Sequence, residues 1–216
     1  MRVKLADGSD LSVKGIVDRV DVFEKDGEQY LRVVDYKTYD KTLSREDLQK
    51  GLDTQMLLYL YSLCENQSPE TEQKLGLDRG KTAKPAGILY LNVGKSGIPQ
   101  DVADAPDGGG KKYFPASGLL LADAEDLTLP TAMEEQLEGR YIPIKLNRNG
   151  KLSRGSFKSM ATEEEFQQIK ADVVSALQNC GEGIRGGVAH AHPLSDAKHD
   201  GCEFCKMRPI CRRRKE

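Results

Sequence analysis

Two short motifs on neighbouring strands constrain this chain most: Gly15-Ile-Val-Asp18-Arg19 and, seventeen residues after the aspartate, Asp35-Tyr36-Lys37. From Leu11 to Phe23 β-branched and apolar residues alternate with polar ones. Lys25-Asp26-Gly27-Glu28 then supplies an Asp-Gly hairpin turn, which tolerates positive φ where the turn needs it. The second strand, Tyr30 to Lys37, has period 2, so Leu31, Val33, Asp35 and Lys37 share one face. Two carboxylates and an ammonium thereby converge at the ends of paired strands. Hard oxygen ligands such as Asp18 and Asp35 suit Mg²⁺ or Mn²⁺, which clamp a phosphate and acidify a bound water. Lys37, roughly 7 Å further along the same face by the strand rise, is placed to hold that water or the charge developing on phosphorus. The pattern points to phosphodiester chemistry.

An Asp-x-Lys on a strand is ordinarily a solvated face. The embedding argues otherwise: Asp18 and Asp35 each extend an apolar stripe (Ile16, Val20 and Val22; Leu31 and Val33), where an unpaired carboxylate is costly. Downstream, Ser44-Arg-Glu-Asp47 reads as a helix start, with Ser as N-cap and an acidic residue at N3. The helix is expected to run through Leu48, Leu52, Gln55, Tyr59 and Leu63, a single stripe at spacings of 4, 3, 4 and 4. Gln55 and Tyr59 then sit one turn apart on a face that is otherwise leucine. Two readings stay open: a core stripe with a tolerated amide, or an amide and a phenol that bind a DNA phosphate or order the active-site water.

The second strong signal is Cys202-Glu-Phe-Cys205-(x5)-Cys211. Cys-x2-Cys lets two thiolates turn onto one ion and the third cysteine adds another, but three ligands close neither a tetrahedral site nor a cubane. Cys64, among leucines, reads as a buried core thiol, and Cys180 is a candidate fourth ligand. His190, His192 and His199 read as solvated loop histidines, with His199 near enough to Cys202 in sequence to be an alternative ligand. Spacing alone does not separate zinc from iron–sulfur.

Gly15-x-x-Asp18-Arg19, Asp35-Tyr36-Lys37 and Gln55-x-x-x-Tyr59 resemble the three signatures of RecB-family nucleases in the PD-(D/E)XK superfamily. The cysteine tail is similar to that of the iron–sulfur branch, and within it the chain resembles the C-terminal nuclease domain of AddB-type subunits of AddAB helicase–nucleases. The resemblance covers most of the chain, apart from Glu65–Lys84 and Gly94–Gly139. It implies a restriction-endonuclease-like α/β fold, a mixed central sheet flanked by helices, and a DNA exonuclease that processes double-strand break ends with an AddA-type partner subunit. It also implies Mg²⁺ or Mn²⁺ held by Asp18, Asp35 and the Tyr36 carbonyl, with Lys37 catalytic. Gln55 and Tyr59 support catalysis and, with Arg19, contact DNA. Cys202, Cys205 and Cys211 would ligate a 4Fe–4S cluster together with a fourth, upstream cysteine. Family members also carry a metal-ligating histidine upstream of Gly15. Met1 to Lys14 contain neither residue, so the chain reads as an excised C-terminal piece of a longer protein. The cluster is then expected to be absent or incomplete here, and activity weak. A stand-alone Cas4-like exonuclease, a non-catalytic DNA-end-binding module and a zinc-stapled interaction module are the alternatives.

At 216 residues one sizeable core is possible, and 38 % hydrophobic against 31 % charged residues is polar without being a disordered profile. There is no run of 18 apolar residues and no signal-peptide pattern. Five cysteines, three of them crowded at one end, fit a reducing compartment better than a disulfide framework. A cytoplasmic, nucleoid location follows from the resemblance. The formal charge of −2 is unevenly spread: Asp101 to Glu138 carries nine acidic residues and two lysines, leaving +5 on the rest, including the tail Arg212–Lys215. A modestly basic body with an acidic insertion is compatible with phosphate binding.

We expect one nuclease domain over 1–216, an insertion at 94–139 and a cysteine-rich basic tail at 201–216. Glu65 to Lys84 reads as a mobile polar connection, Ala86–Val93 as a strand near the sheet centre, and Gly94 to Gly110 as a long loop ending in a flexible Asp107-Gly-Gly-Gly110. Apolar character resumes at Ser117-Gly-Leu-Leu-Leu-Ala, followed by a short helix around Met133 to Leu137. Ile142 to Ser153 reads as a hairpin turning at Asn149-Gly150, with Pro143 at an edge. A last helix opens with a capping box at Thr162-Glu-Glu-Glu165 and buries Phe166, Ile169, Val173 and Leu177. Gly80-Lys81-Thr82 ends like a phosphate-binding P-loop. However, position 75 is Leu where that motif needs Gly, and no apolar strand leads in, so ATP binding is excluded.

Overall fold

The Asp-Gly hairpin forms one edge of the central sheet in the computed structural model, which describes residues 1–65, 68–78, 80–94, 116–139, 141–191 and 193–211. Strand β3 (Arg19–Lys25) pairs antiparallel with β4 (Glu28–Lys37), in a register that sets Arg19 opposite Val34 and Asp21 opposite Arg32. Asp26 and Gly27 both have positive φ, 52° and 78°, as a type I′ turn requires. The alternation that begins at Leu11 is split between two strands. Its first part belongs to a small ribbon, β1 (Arg2–Lys4) with β2 (Asp10–Ser12), so Gly15 and Asp18 lie in the link between ribbon and sheet.

The sheet has the order β3-β4-β5-β6-β7, with β5 (Ala83–Asn92), β6 (Ala116–Leu121) and β7 (Met160–Ala161) completing it. β4 runs parallel to β5 and β6 parallel to β7, while the other pairs are antiparallel. This is the mixed α/β sheet flanked by helices expected of a restriction-endonuclease-like fold. β5 lies at its centre, as its apolar run implies. β6 falls inside the stretch 94–139 expected to be an insertion, yet it hydrogen-bonds to the central strand, because Leu119 and Leu120 have core to fill on opposite faces. Residues 95–115, including the glycine run 107–110, lie outside the described residues.

The single helix expected from Ser44 to Leu63 is two helices. Ser44 does cap α1 (Arg45–Gln49), accepting from Asp47 N at 3.4 Å. The chain then turns at Gly51 (φ 77°) and Asp53 (φ 54°) before α2 (Gln55–Glu65) begins. A glycine just past a helix end adopts this left-handed conformation without a Cβ penalty. The i, i+4 stripe runs across the break, so periodicity alone could not reveal it. A second helix appears in the stretch expected to be a mobile connection: α3 (Pro69–Leu75) has Ser68 as N-cap, Pro at its first position and Gly76 at φ 67° after its end. The helix expected around Met133–Leu137 lies earlier, as α4 (Thr128–Met133), and Leu137 takes a positive φ of 47° instead. The Asn149-Gly150 turn forms, with Gly150 N donating to Asn147 O at 2.9 Å, but its arms make isolated bridges rather than strands.

Two cores lie on the two faces of the sheet. Leu31 and Val33 of β4 and Ile88 of β5 pack against Leu57 and Leu60 of α2 and against Phe166, Ile169 and Val173 of the last helix, α5 (Glu163–Arg185). Both halves of the capping box at Thr162 and Glu165 are present. Each of those α5 side chains contributes roughly 1.5–3 kcal/mol by leaving water. On the other face Val34, Leu89 and Leu120 pack with Ile142 and Ile144. No helix among the described residues is long and apolar enough to cross a membrane.

Candidate active site

Asp18 sits one residue before β3, so the ladder that pairs Arg19 with Val34 extends to bring it beside Asp35. The contact is direct: Tyr36 N donates to Asp18 Oδ2 at 3.3 Å. On the α2 face of β4, Lys37 Nζ lies 2.6 Å from Asp35 Oδ2. That oxygen is buried and makes no well-directed hydrogen bond, so Lys37 alone faces its charge. The Asp35 carboxylate, with Tyr39 and Asp18 behind it, holds the Lys37 ammonium above the ordinary lysine range against the opposing effect of burial. The hairpin thus gathers Asp18, Asp35, the Tyr36 backbone and Lys37 at one end of the sheet.

A hard divalent cation fits these donors. Two carboxylates and the Tyr36 carbonyl are hard oxygen donors that would hold it, and here the Asp35 carboxylate is balanced by the Lys37 ammonium. Tyr90 is a residue that sequence reasoning did not single out. It is Asp35's neighbour in the parallel ladder, and Lys37 Nζ lies 5.9 Å from its ring centroid. Burial above all, then the charges of Asp53, Asp35 and Tyr39, push its hydroxyl far above the ordinary tyrosine range, so it stays a neutral phenol. The period-2 pattern of Ala86–Val93 puts Tyr90 on the Ile88 face, but only the β4–β5 register brings it to Asp35.

Gln55 and Tyr59 meet each other first: Gln55 Nε2 donates to Tyr59 Oη at 2.8 Å. Among the described residues no hydrogen bond joins either to Asp18, Asp35 or Lys37. Tyr59 is tied to the first motif by packing. A Cβ built on Gly15 would fall onto the Tyr59 ring, 2.6 Å from its Cζ, so a glycine is required for the link to pass this close to α2. Arg19 points to the opposite face, with Nε donating to Asp21 Oδ1 at 2.6 Å and Nη1 at 3.5 Å from Tyr36 Oη.

The cysteine tail is arranged differently. Cys64 is a core thiol, and burial pushes its pKa up to about 12. Cys180, Cys205 and Cys211 are exposed and Cys202 half-buried. Successive turns carry the tail, with Cys205 N donating to Cys202 O at 3.3 Å and Cys211 N to Met207 O at 2.8 Å. Among the described residues no group of three or more His, Cys, Asp or Glu side chains is arranged to hold a metal ion. His199, expected to be solvated, is paired instead: Nδ1 lies 2.9 Å from Asp196 Oδ1 and Nε2 3.5 Å from Asp47 Oδ1. His192 and Arg212–Lys215 lie outside the described residues.

Comparison with known proteins gives the family. The family model of the PD-(D/E)XK nuclease superfamily matches residues 1–212. The chain belongs to that superfamily. Similar curated proteins are named as the B-type subunit of an ATP-dependent helicase/deoxyribonuclease. They include those of Listeria welshimeri (32 % identical over 215 residues) and Symbiobacterium thermophilum (33 % over 215 residues). The match covers 98 % of this PD-(D/E)XK chain in both, and 18 % and 17 % of the respective relatives. The relative from Clostridium acetobutylicum is 32 % identical over 219 residues, covering 97 % of this chain and 17 % of its own length. The chain thus spans less than a fifth of the curated relatives it matches.

Proposed function

We propose that this chain is the nuclease domain of an AddAB-type helicase–nuclease, a metal-dependent DNA exonuclease that trims the ends of double-strand breaks beside an AddA-type partner. The observation that carries the reading is the Asp18–Asp35–Lys37 cluster, a donor set for a divalent cation with a cation of its own alongside. The names of the relatives support the assembly.

Asp18, Asp35 and the Tyr36 carbonyl would hold Mg²⁺ or Mn²⁺, which when bound supplies Lewis acidity toward the scissile phosphate and acidifies the attacking water. Lys37, an ammonium beside Asp35, is placed to hold the water and to balance the negative charge growing on the phosphoryl oxygens. Tyr59 Oη accepts from Gln55, which leaves its own proton free for a phosphate oxygen. The Cys202–Cys205–Cys211 tail would supply three thiolates to a 4Fe–4S cluster whose fourth ligand comes from elsewhere.

The test is Asp35→Ala in the assembled complex. Mg²⁺-dependent cleavage of linear duplex should fall by about 1,000-fold, or roughly 4 kcal/mol of barrier. DNA binding should change little, because phosphate contacts elsewhere carry most of the affinity. Full cleavage by this variant would refute the assignment.

A further inference from the structure

On the sheet face opposite the carboxylate cluster, β3 and β4 carry an arginine–carboxylate–arginine group that the proposed chemistry does not use. Asp21 accepts from Arg32 through Nε at 3.0 Å and Nη2 at 2.5 Å, and from Arg19 Nε at 2.6 Å. One carboxylate is thereby shared by two guanidinium groups, leaving a net charge of about +1 in a partly buried place. Arg32 is 14 % exposed, and its Nη1 is buried with no hydrogen-bond partner. A desolvated, unanswered donor of this kind is costly. The group forms the basic end of a cavity of about 190 Å³, walled on its other sides by Phe23, Tyr30, Ala132 and Met133. Arg19, half exposed, also lines it.

We infer that this cavity is a subsite for one nucleotide of the DNA strand, its phosphate held by Arg19 over Arg32 and its sugar or base lying on the apolar wall. The inference rests on the DNA-cleaving reading and names a second grip on the same substrate. Charge selects an anion. The apolar wall selects one that carries hydrophobic surface, as a nucleotide does and a bare phosphate does not. The volume is below the roughly 300 Å³ at which pockets that engulf a drug-sized ligand begin, so the cavity of about 190 Å³ takes a sugar or a base while the phosphate stays outside on Arg19. Position joins it to the reaction centre: Arg32 is three residues from Asp35 along β4, about 10 Å by the strand rise, and Arg19 directly follows Asp18. Because β3 is the sheet edge, a strand leaving the carboxylates can cross that edge into the cavity without passing through the core.

The experiment measures binding of a fluorescein-labelled octathymidylate to the chain by anisotropy, in EDTA so that no metal contributes, across a salt series. Arg32→Met removes the buried charge and keeps most of the stem. It should weaken binding about fivefold and reduce the slope of log K against log salt by about 0.7, the value of one single-strand phosphate contact. Met133→Glu leaves the arginine group intact and puts a carboxylate at the apolar wall, so it should weaken binding in the same direction even if Arg32→Met folds poorly. Unchanged affinity and slope in Met133→Glu, or in a folded Arg32→Met, would overturn the subsite. A wild type that broadens the ³¹P signal of inorganic phosphate through Arg32 yet binds no octathymidylate would overturn the nucleotide assignment. If both variants lose affinity while the assembled complex cleaves nothing, the subsite stands and the nuclease reading falls.

Discussion

The carboxylate cluster and the cysteine tail are both motif-bearing regions, and they are held in different ways. Asp18, Asp35 and Lys37 are placed by a hairpin register, and behind them Leu31 and Val33 are wholly buried. Slipping that register by one residue would expose the whole core face of β4, so the cluster inherits the rigidity of the core. The tail is anchored by surface ion pairs: Lys50 with Asp196 and Lys198 with Glu46, both at 2.6 Å, and His199 between Asp196 and Asp47. Beyond that clasp Phe204, Met207 and Ile210 are exposed along with the thiols. One motif is positioned by the fold, while the other lies at the surface, held by ion pairs.

That contrast can be broken most forcefully at Lys37. Lys37→Met should lower cleavage in the complex by about 100-fold or more, or roughly 3 kcal/mol, because Lys37 Nζ is the cation paired with Asp35 Oδ2. Cleavage within a few-fold of wild type would mean that the cluster is structural. Gly15→Ala comes next. Its methyl meets the Tyr59 ring, and overpacking of this kind costs about 1–3 kcal/mol, so the melting temperature and cleavage should fall together. An unchanged melting curve would show that the Gly15 link is not pressed onto α2. Tyr59→Phe is gentler: losing the bond from Gln55 on an exposed face should change stability by less than about 1 kcal/mol while cleavage slows several-fold. A large stability loss at full activity would instead make Tyr59 a core residue.

The tail's side of the contrast has two smaller signatures. Iron and sulfide assays on the isolated chain should find far less than one cluster per molecule, since three thiolates leave a cubane a ligand short. A stoichiometric cluster would bring Cys180 or Cys64 into the ligand set. The clasp itself should respond to pH and salt. Lys50, then the backbone and His199, hold the Asp196 carboxyl well below its usual range, and Lys198 lowers that of Glu46. A depressed folded-state pKa means the contribution is complete above the ordinary carboxylate range and is lost only as pH falls through the lowered value. Protection against hydrogen exchange at residues 194–200, relative to the intrinsic rate at each pH, should therefore hold from neutrality down to about pH 4 and fall in stronger acid. It should also fall in 1 M salt, where exposed pairs are screened. Protection that ignores both would mean the clasp is not electrostatic.

Much of this was legible in the sequence because it is local. The Asp26-Gly27 turn, the period-2 stripe ending in Asp35 and Lys37, the Ser44 and Thr162 caps and the apolar face of α5 each depend on residues within a few positions of one another. The neighbourhood of the candidate residues Asp18, Asp35 and Lys37 shares that property, since one tight turn fixes which strand positions face each other. What the sequence left open depends on positive φ or on distant partners. The break at Gly51 and Asp53 is invisible to a periodicity that continues through it, and α3 hides in a polar stretch whose apolar stripe is too short to register. β6 looked like insertion because the sequence around it is rich in glycine and acidic residues, whereas its neighbour in space is β5. Only the tertiary structure could put Tyr90 beside Lys37, lay Tyr59 on Gly15, and leave one edge of Arg32 without a partner. Those facts follow from how strands far apart in the chain pair and which helix covers them, and no window of the sequence contains both halves of such a contact.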